Sequence, residues 1–185
     1  MAEHQGYQTI PLSPARRMQV DGVRMAAIPG AIHGLIEVDV TRARQIIREH
    51  QARTGERLSF TAFAIACLAR AVAENPRVYA AVARSPHLRK KALCTVAMSS
   101  VGMFGGPGSG SVGGWGIPIS HHTLAITLGG IGCRQVLVDG APQDREFLCV
   151  TVSLDHAIVD GAPAARFAAR FRELLESAQG LEEGA

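Results

Sequence analysis

The stretch Ser153-Leu154-Asp155-His156-Ala157-Ile158-Val159-Asp160-Gly161-Ala162 decides how this chain is read, because it closes an apolar strand and opens a helix. Val150-Thr151-Val152-Ser153-Leu154 runs into it with the β-branched character of a strand. Gly161, Ala162, Ala164 and Ala165 lead out of it on a helix whose small residues call for close packing. A histidine at such a corner is held by backbone on both sides while its imidazole aims into a cleft. His156 is therefore placed as a general base would be, with Asp160 after it in an H-x-x-x-D-G pattern.

Working outward, the exit helix is expected from Ala162 to Ser177, with Phe167, Phe171, Leu174 and Leu175 on one face. Before the motif, strands are expected at 123–129, 133–138 and 146–154. Gly129-Gly130 separates the first two, and Asp139-Gly140, a hairpin signal, separates the last two. Earlier strands are expected at 77–83 and 92–99, followed by a glycine-dense stretch from Gly102 to Gly116. Near the N-terminus the pattern from His33 to Val40 reads as a strand. Thr41 is expected to cap a helix to Thr54 that turns Ile46 and Ile47 inward and stops at Gly55. A largely buried helix, Phe60 to Glu74, starts at Ser59 or Thr61 and stops at Asn75-Pro76. Residues 1–30, with Pro11, Pro14 and Pro29 and little periodicity, read as an N-terminal arm, and residues 31–185 as a single domain. Hairpin signals and flanking helices predict an α+β fold, a sheet of mixed or antiparallel strands with helices packed on one side.

Bulk properties narrow the function. A chain of 185 residues is long enough for one sizeable core. The net charge of +3 comes from basic residues scattered along the chain, which argues against nucleic acid as a partner. Cys67, Cys94, Cys133 and Cys149 form no C-x-x-C pair and sit in apolar segments, so they read as reduced, buried residues of a cytoplasmic protein. The polar start and the lack of a long apolar run predict neither a signal peptide nor a membrane span.

Gly108-Ser109-Gly110-Ser111-Val112-Gly113 matches G-x-G-x-x-G, but no helix pattern follows, so a dinucleotide site is rejected. His121 and His122 lack helical zinc spacing, and no metal site is expected. Trp115, the single tryptophan, reads as a packing anchor.

Further segments complete a resemblance. The chain resembles the catalytic acyltransferase core of 2-oxo-acid dehydrogenase complexes, a family related to chloramphenicol acetyltransferase. The closing signature is carried by Ser153 to His156, by Asp160-Gly161-Ala162, by Ala164-Ala165-Arg166-Phe167 and by Glu173-Leu174-Leu175-Glu176. Ile10-Pro11-Leu12-Ser13 with Arg16-Arg17 is similar to the family's domain entry, and Ser99-Ser100-Val101-Gly102-Met103-Phe104-Gly105 to its serine-bearing loop. His33 to Val40 and Ser59-Phe60-Thr61-Ala62-Phe63 fit its first strand and helices. These matches fall in the family's order, in a chloramphenicol acetyltransferase-like fold.

The resemblance implies acyl transfer between a thioester and a thiol or other small acceptor. His156 would be the general base and Ser99 the donor to the oxyanion. Asp160 would brace the corner by pairing with either Arg16 or Arg17. Ser100, Gly102, His121 and His122 would line the substrate path. The family builds this site between subunits, so a homotrimer is implied, with coenzyme A thioester as substrate and no covalently bound cofactor. No lipoyl-bearing or docking domain is read in the chain, so the donor is expected from outside, as acyl-CoA or on a separate carrier.

The sequence departs from the family in three places. The stretch between Pro76 and Ser99 is shorter, Ala157 stands where the family has arginine, and the end Gly180-Leu181-Glu182-Glu183-Gly184-Ala185 makes a poor apolar anchor. A free trimer is thus expected rather than a cage. The shortened stretch also motivates two alternatives: an inactive trimeric scaffold or regulatory subunit that keeps the fold, or a small-molecule binding site without turnover.

Overall fold

The strand that enters the histidine corner is the centre of the molecule. In the computed structural model, which describes residues 11–26, 30–79, 96–102, 113–119 and 122–181, this strand spans Ala141–Asp155 and is buried on every residue from Leu148 to Asp155. The elements in chain order are α1 (Pro14–Ala26), β1 (Ala31–Asp39), α2 (Thr41–Thr54), α3 (Phe60–Glu74), a 3-10 turn (Pro76–Tyr79), β2 (Val96–Ser100), β3 (Leu124–Val138), β4 (Ala141–Asp155) and α4 (Gly161–Glu176). The four strands form one mixed sheet in the order β1-β4-β3-β2. The β1–β4 and β4–β3 pairs are antiparallel and β3–β2 is parallel.

Strand alternation divides the side chains between two faces. Val38 of β1, Leu124, Ile126 and Leu128 of β3, and Leu148, Val150, Val152 and Leu154 of β4 share one core cluster with the helices. Phe63, Cys67 and Leu68 of α3 and Phe167, Phe171, Leu174 and Leu175 of α4 fill it. Phe167 and Phe171 are fully buried, each worth about 1.5–3 kcal/mol relative to an exposed side chain. The helices thus lie on one side of the sheet. On the other face, Cys149, Thr151 and Ser153 of β4 are also buried. An irregular strap, residues 113–119, passes over that face: a Cβ on Gly113 would stand 2.5 Å from the Cys149 sulfur, and one on Gly116 would stand 3.0 Å from Thr127 Cγ2.

The local signals explain most element ends. Ser59 caps α3 by accepting from the Ala62 N–H at 3.2 Å, and Gly55 ends α2 at φ 78°. Asp139 and Gly140 both have positive φ, 52° and 81°, as the two-residue turn between β3 and β4 requires.

Several expectations are corrected. The N-terminal arm contains a helix, α1, because Ser13 caps its first turn (Arg16 N–H to Ser13 Oγ, 3.3 Å) and Pro14 suits the first helical position. Thr41 does not cap α2. It is the first helical residue, and its hydroxyl donates to Asp39 Oδ1 at 2.6 Å. Gly129-Gly130 does not divide two strands; it forms a bulge between Leu128 and Ile131 within one long β3, where the glycines let the strap's Gly114 come close.

Residues 76–79 form a 3-10 turn instead of the start of a strand, since Pro76 pre-sets its φ for a turn. The rest of that expected strand, and residues 92–95 of the next, lie outside the described residues. Helix α3 is less enclosed than its apolar sequence suggests, because it packs only one face on the core and leaves Ile65 51% exposed. Cys133 is exposed as well, on the part of β3 beyond the core, whereas Cys67 and Cys149 are buried and Cys94 lies outside the described residues. Among the described residues, no helix is long and apolar enough to cross a membrane.

Candidate active site

The corner at the end of β4 is built mostly from backbone. Asp155 closes the β1–β4 ladder opposite Ala31, and its N–H donates to the Thr123 carbonyl at 3.0 Å. Its carbonyl then accepts from Ile158 at 3.0 Å and Val159 at 2.9 Å, which turns the chain toward α4. The buried carboxylate of Asp155 accepts the Ala157 N–H at 3.1 Å. Between them the His156 N–H donates to Gly30 O at 3.2 Å.

This frame sets the chemistry of the ring. His156 Nδ1 lies 3.0 Å from the Val159 carbonyl. A carbonyl can only accept, so the neutral ring carries its proton on Nδ1 and leaves the Nε2 lone pair available. The residue is exposed, so Nε2 can accept a proton from a group outside the protein. Asp160 precedes α4 as its extended N-cap residue, and its side chain makes no cap bond.

The serine stands elsewhere. Ser99 is exposed on edge strand β2 and pairs in register with Thr127, which pairs with Thr151, which pairs with Leu35. Two strand spacings and four to five residues of rise therefore separate Ser99 from His156, roughly 15–20 Å within one chain. Groups acting on one substrate atom must come within hydrogen-bond reach of it, about 3 Å. A single chain does not bring the two together. Ser100 shares β2, and Gly102 follows it, packed so tightly on the Gly129 carbonyl that a Cβ would collide there. Arg17 donates from Nε to the Leu12 carbonyl at 3.2 Å, and no ion pair joins Asp160 to Arg16 or Arg17 among the described residues. Trp115 is 43% exposed, its indole N–H 3.4 Å from the Ile36 carbonyl.

Beside the corner lies a cavity of about 230 Å³. His33, His122, Ser153 and Asp155 supply its polar lining, and Ile117 and Ile119 of the strap face them. His33 Nδ1 and Ser153 Oγ are 2.8 Å apart. His121 lies outside the described residues. The sequence points to His33 only as the start of a strand. Its place in the site depends on β1 pairing with β4, which sets His33 opposite Ser153. Among the described residues, no three histidine, cysteine or acidic side chains gather as a metal site. Burial pushes the Cys149 thiol above its usual range, and the Cys67 thiol up to about 11, so neither is a ready nucleophile.

Solved structures similar to this one include acyltransferase cores. A probable dihydrolipoamide acetyltransferase from Listeria monocytogenes 4b F2365 is 19% identical, with 95% of this chain and 97% of that one covered and a TM-score of 0.72. The dihydrolipoamide acetyltransferase of Azotobacter vinelandii is 16% identical over 97% and 95% of the two chains, with a TM-score of 0.74. The cubic core of a pyruvate dehydrogenase multienzyme complex gives 16% identity over 97% and 95%, with a TM-score of 0.75. The likeness shows that this chain has the fold of those acyltransferase cores. More particularly, residues 92–182 match the family model "2-oxoacid dehydrogenases acyltransferase (catalytic domain)". No curated protein matches it.

Proposed function

We propose that the protein transfers an acyl group between a coenzyme A thioester and a thiol acceptor at a site shared by two copies of the chain. The observation that carries this reading is the His156 ring, fixed by Val159 with Nε2 left free. Nε2 takes the proton of the attacking thiol, whose usual pKa of about 8.5 leaves it mostly protonated at pH 7. The thiolate adds to the thioester carbonyl carbon. The oxyanion so formed accepts a hydrogen bond from Ser99 of a neighbouring copy, a contact worth about 3 kcal/mol in the transition state. Collapse breaks the original C–S bond, and the leaving thiolate takes the proton back from the imidazolium.

The distance from Ser99 to His156 supports a shared site, because one chain cannot place both on one carbonyl. The Azotobacter vinelandii enzyme is described with catalytic roles for a serine, a histidine and an asparagine, the last two spaced four residues apart, as His156 and Asp160 are. Asp160 stands at the spacing of that asparagine and braces the corner at the start of α4. Ser100, Gly102 and His122 line the substrate path. Residues 31–185 act as one domain behind the N-terminal arm, and the assembly is a free homotrimer. Dihydrolipoamide, named for two of the similar structures, is the acceptor class to try first.

The test is transfer from acetyl-CoA to dihydrolipoamide. His156→Ala is expected to lose roughly 10²–10⁴-fold in rate; an unchanged rate overturns the role of base. Ser99→Ala and His156→Ala chains, each inactive alone, should regain about a quarter of the wild-type rate when co-assembled, because a cyclic interface takes one group from each copy. No regained activity would argue against the shared site.

A further inference from the structure

We infer that the cavity beside His156 holds the far end of the acyl group and selects a short, uncharged chain bearing a hydroxyl, with His33 and Ser153 as the specificity-determining pair. This inference rests on the transfer reading above and deepens it.

Position comes first. Asp155, immediately before His156, lines the cavity, and so does Ala31, next to the Gly30 carbonyl that holds the His156 backbone. A group bound there lies against the turn that presents the imidazole.

Size comes second. A dry cavity of about 150 Å³ accommodates benzene, so the space of about 230 Å³ has room for an acyl chain of up to roughly nine non-hydrogen atoms. The nucleotide end of coenzyme A has no room in it.

Charge comes third. No lysine or arginine is among the described lining residues, and the Asp155 carboxylate is part of the wall. A dicarboxylic acyl group would bring a second carboxylate against that wall with no lysine or arginine among the described lining residues to meet it.

The polar end is a matched donor and acceptor. His33 Nδ1 and Ser153 Oγ, 2.8 Å apart, share one proton. If the serine donates, the imidazole keeps Nε2–H as a donor and Oγ still accepts. If Nδ1–H donates, Nε2 accepts and the serine O–H is free to donate. Either arrangement offers one donor and one acceptor, the complement of a hydroxyl group. Ile117, Pro118 and Ile119 provide apolar contact for the carbons between.

The experiment compares butyryl-CoA, 3-hydroxybutyryl-CoA and succinyl-CoA as donors to dihydrolipoamide, for the wild type, Ser153→Ala and His33→Leu. Wild type should favour the hydroxylated chain over butyryl by about tenfold in kcat/KM, the size of one net hydrogen bond between neutral groups. It should use succinyl-CoA least, and both variants should bring the hydroxybutyryl-to-butyryl ratio close to one. A wild-type ratio near one, or a ratio that neither variant moves, overturns the inference. If a variant does not fold, the wild-type ratio decides. If no donor is turned over, the transfer reading fails on its own, and calorimetric binding of the two four-carbon thioesters still tests the pocket: equal affinities refute it, and tenfold tighter binding of the hydroxylated one supports it.

Discussion

Replacing Asp155 by alanine should damage the site without touching the imidazole. Its carboxylate, on a residue only 2% exposed, accepts the Ala157 N–H at 3.1 Å. A hydrogen bond to a charged group contributes roughly 1.5–3 kcal/mol net. Ala157 is itself exposed, so water takes over part of that bond, and a loss of about 2 kcal/mol is expected. The Asp155 carbonyl still accepts from Ile158 and Val159, so the turn loosens rather than melts. The loosening reaches Val159, whose carbonyl fixes the proton on His156 Nδ1. A base displaced by about 1 Å can cost up to 10²-fold in rate, so kcat should fall between tenfold and hundredfold. Asp155→Asn keeps an oxygen for Ala157 and should lose only about 1 kcal/mol. Urea unfolding reads the stability, and transfer from acetyl-CoA reads the rate. A loss below about 0.5 kcal/mol in the alanine variant, or an asparagine variant as impaired as alanine, would refute the argument.

Other consequences follow from the same structure. Gly129→Ala would drive a Cβ into the Gly114 carbonyl and should cost about 2–3 kcal/mol in urea unfolding, whereas Gly161→Ala, in open space, should change stability by less than about 0.5 kcal/mol. Of Cys67, Cys133 and Cys149, only exposed Cys133 should be alkylated within minutes in the native protein, as peptide mass spectrometry would show; rapid labelling of Cys149 would mean the strap does not cover it. Burial raises the Cys67 thiol from 9.0 to about 11, so the unfolded chain ionises first. Stability from this group is intact below pH 9 and declines as pH climbs toward 11, and Cys67→Ala should flatten that slope in urea midpoints. An unchanged slope would assign it to another group.

Local features were legible where chemistry acts over a few residues. Asp139-Gly140, Gly55, Ser59 and the apolar stripe of α4 each specify their element without reference to distant chain. The missed elements show the limit. Gly129-Gly130 carries the same turn chemistry whether it ends a strand or bulges one, and only the strap's approach to Gly114 selects the bulge. α1 was hidden because its start signal, Ser13-Pro14, lies in a proline-rich stretch whose composition argues for irregular chain. Thr41 had the right residue type for a cap, but Asp39 lies close enough to take its hydroxyl.

The sequence alone determined the corner. A β-branched strand, a histidine, an aspartate and a glycine-alanine helix start are local specifications, since strand pairing and helix entry leave the backbone between them few conformations. It also determined the α+β class, through period-two and period-3.6 patterns. Only the tertiary structure decided what surrounds the histidine. The pairing of β1 with β4 sets His33 against Ser153, the strap roofs the second face, and the sheet carries Ser99 too far along β2 to share a substrate with His156 of the same chain. These are contacts between residues far apart in sequence. No local propensity encodes them, because they exist only once the strands have found their order and register.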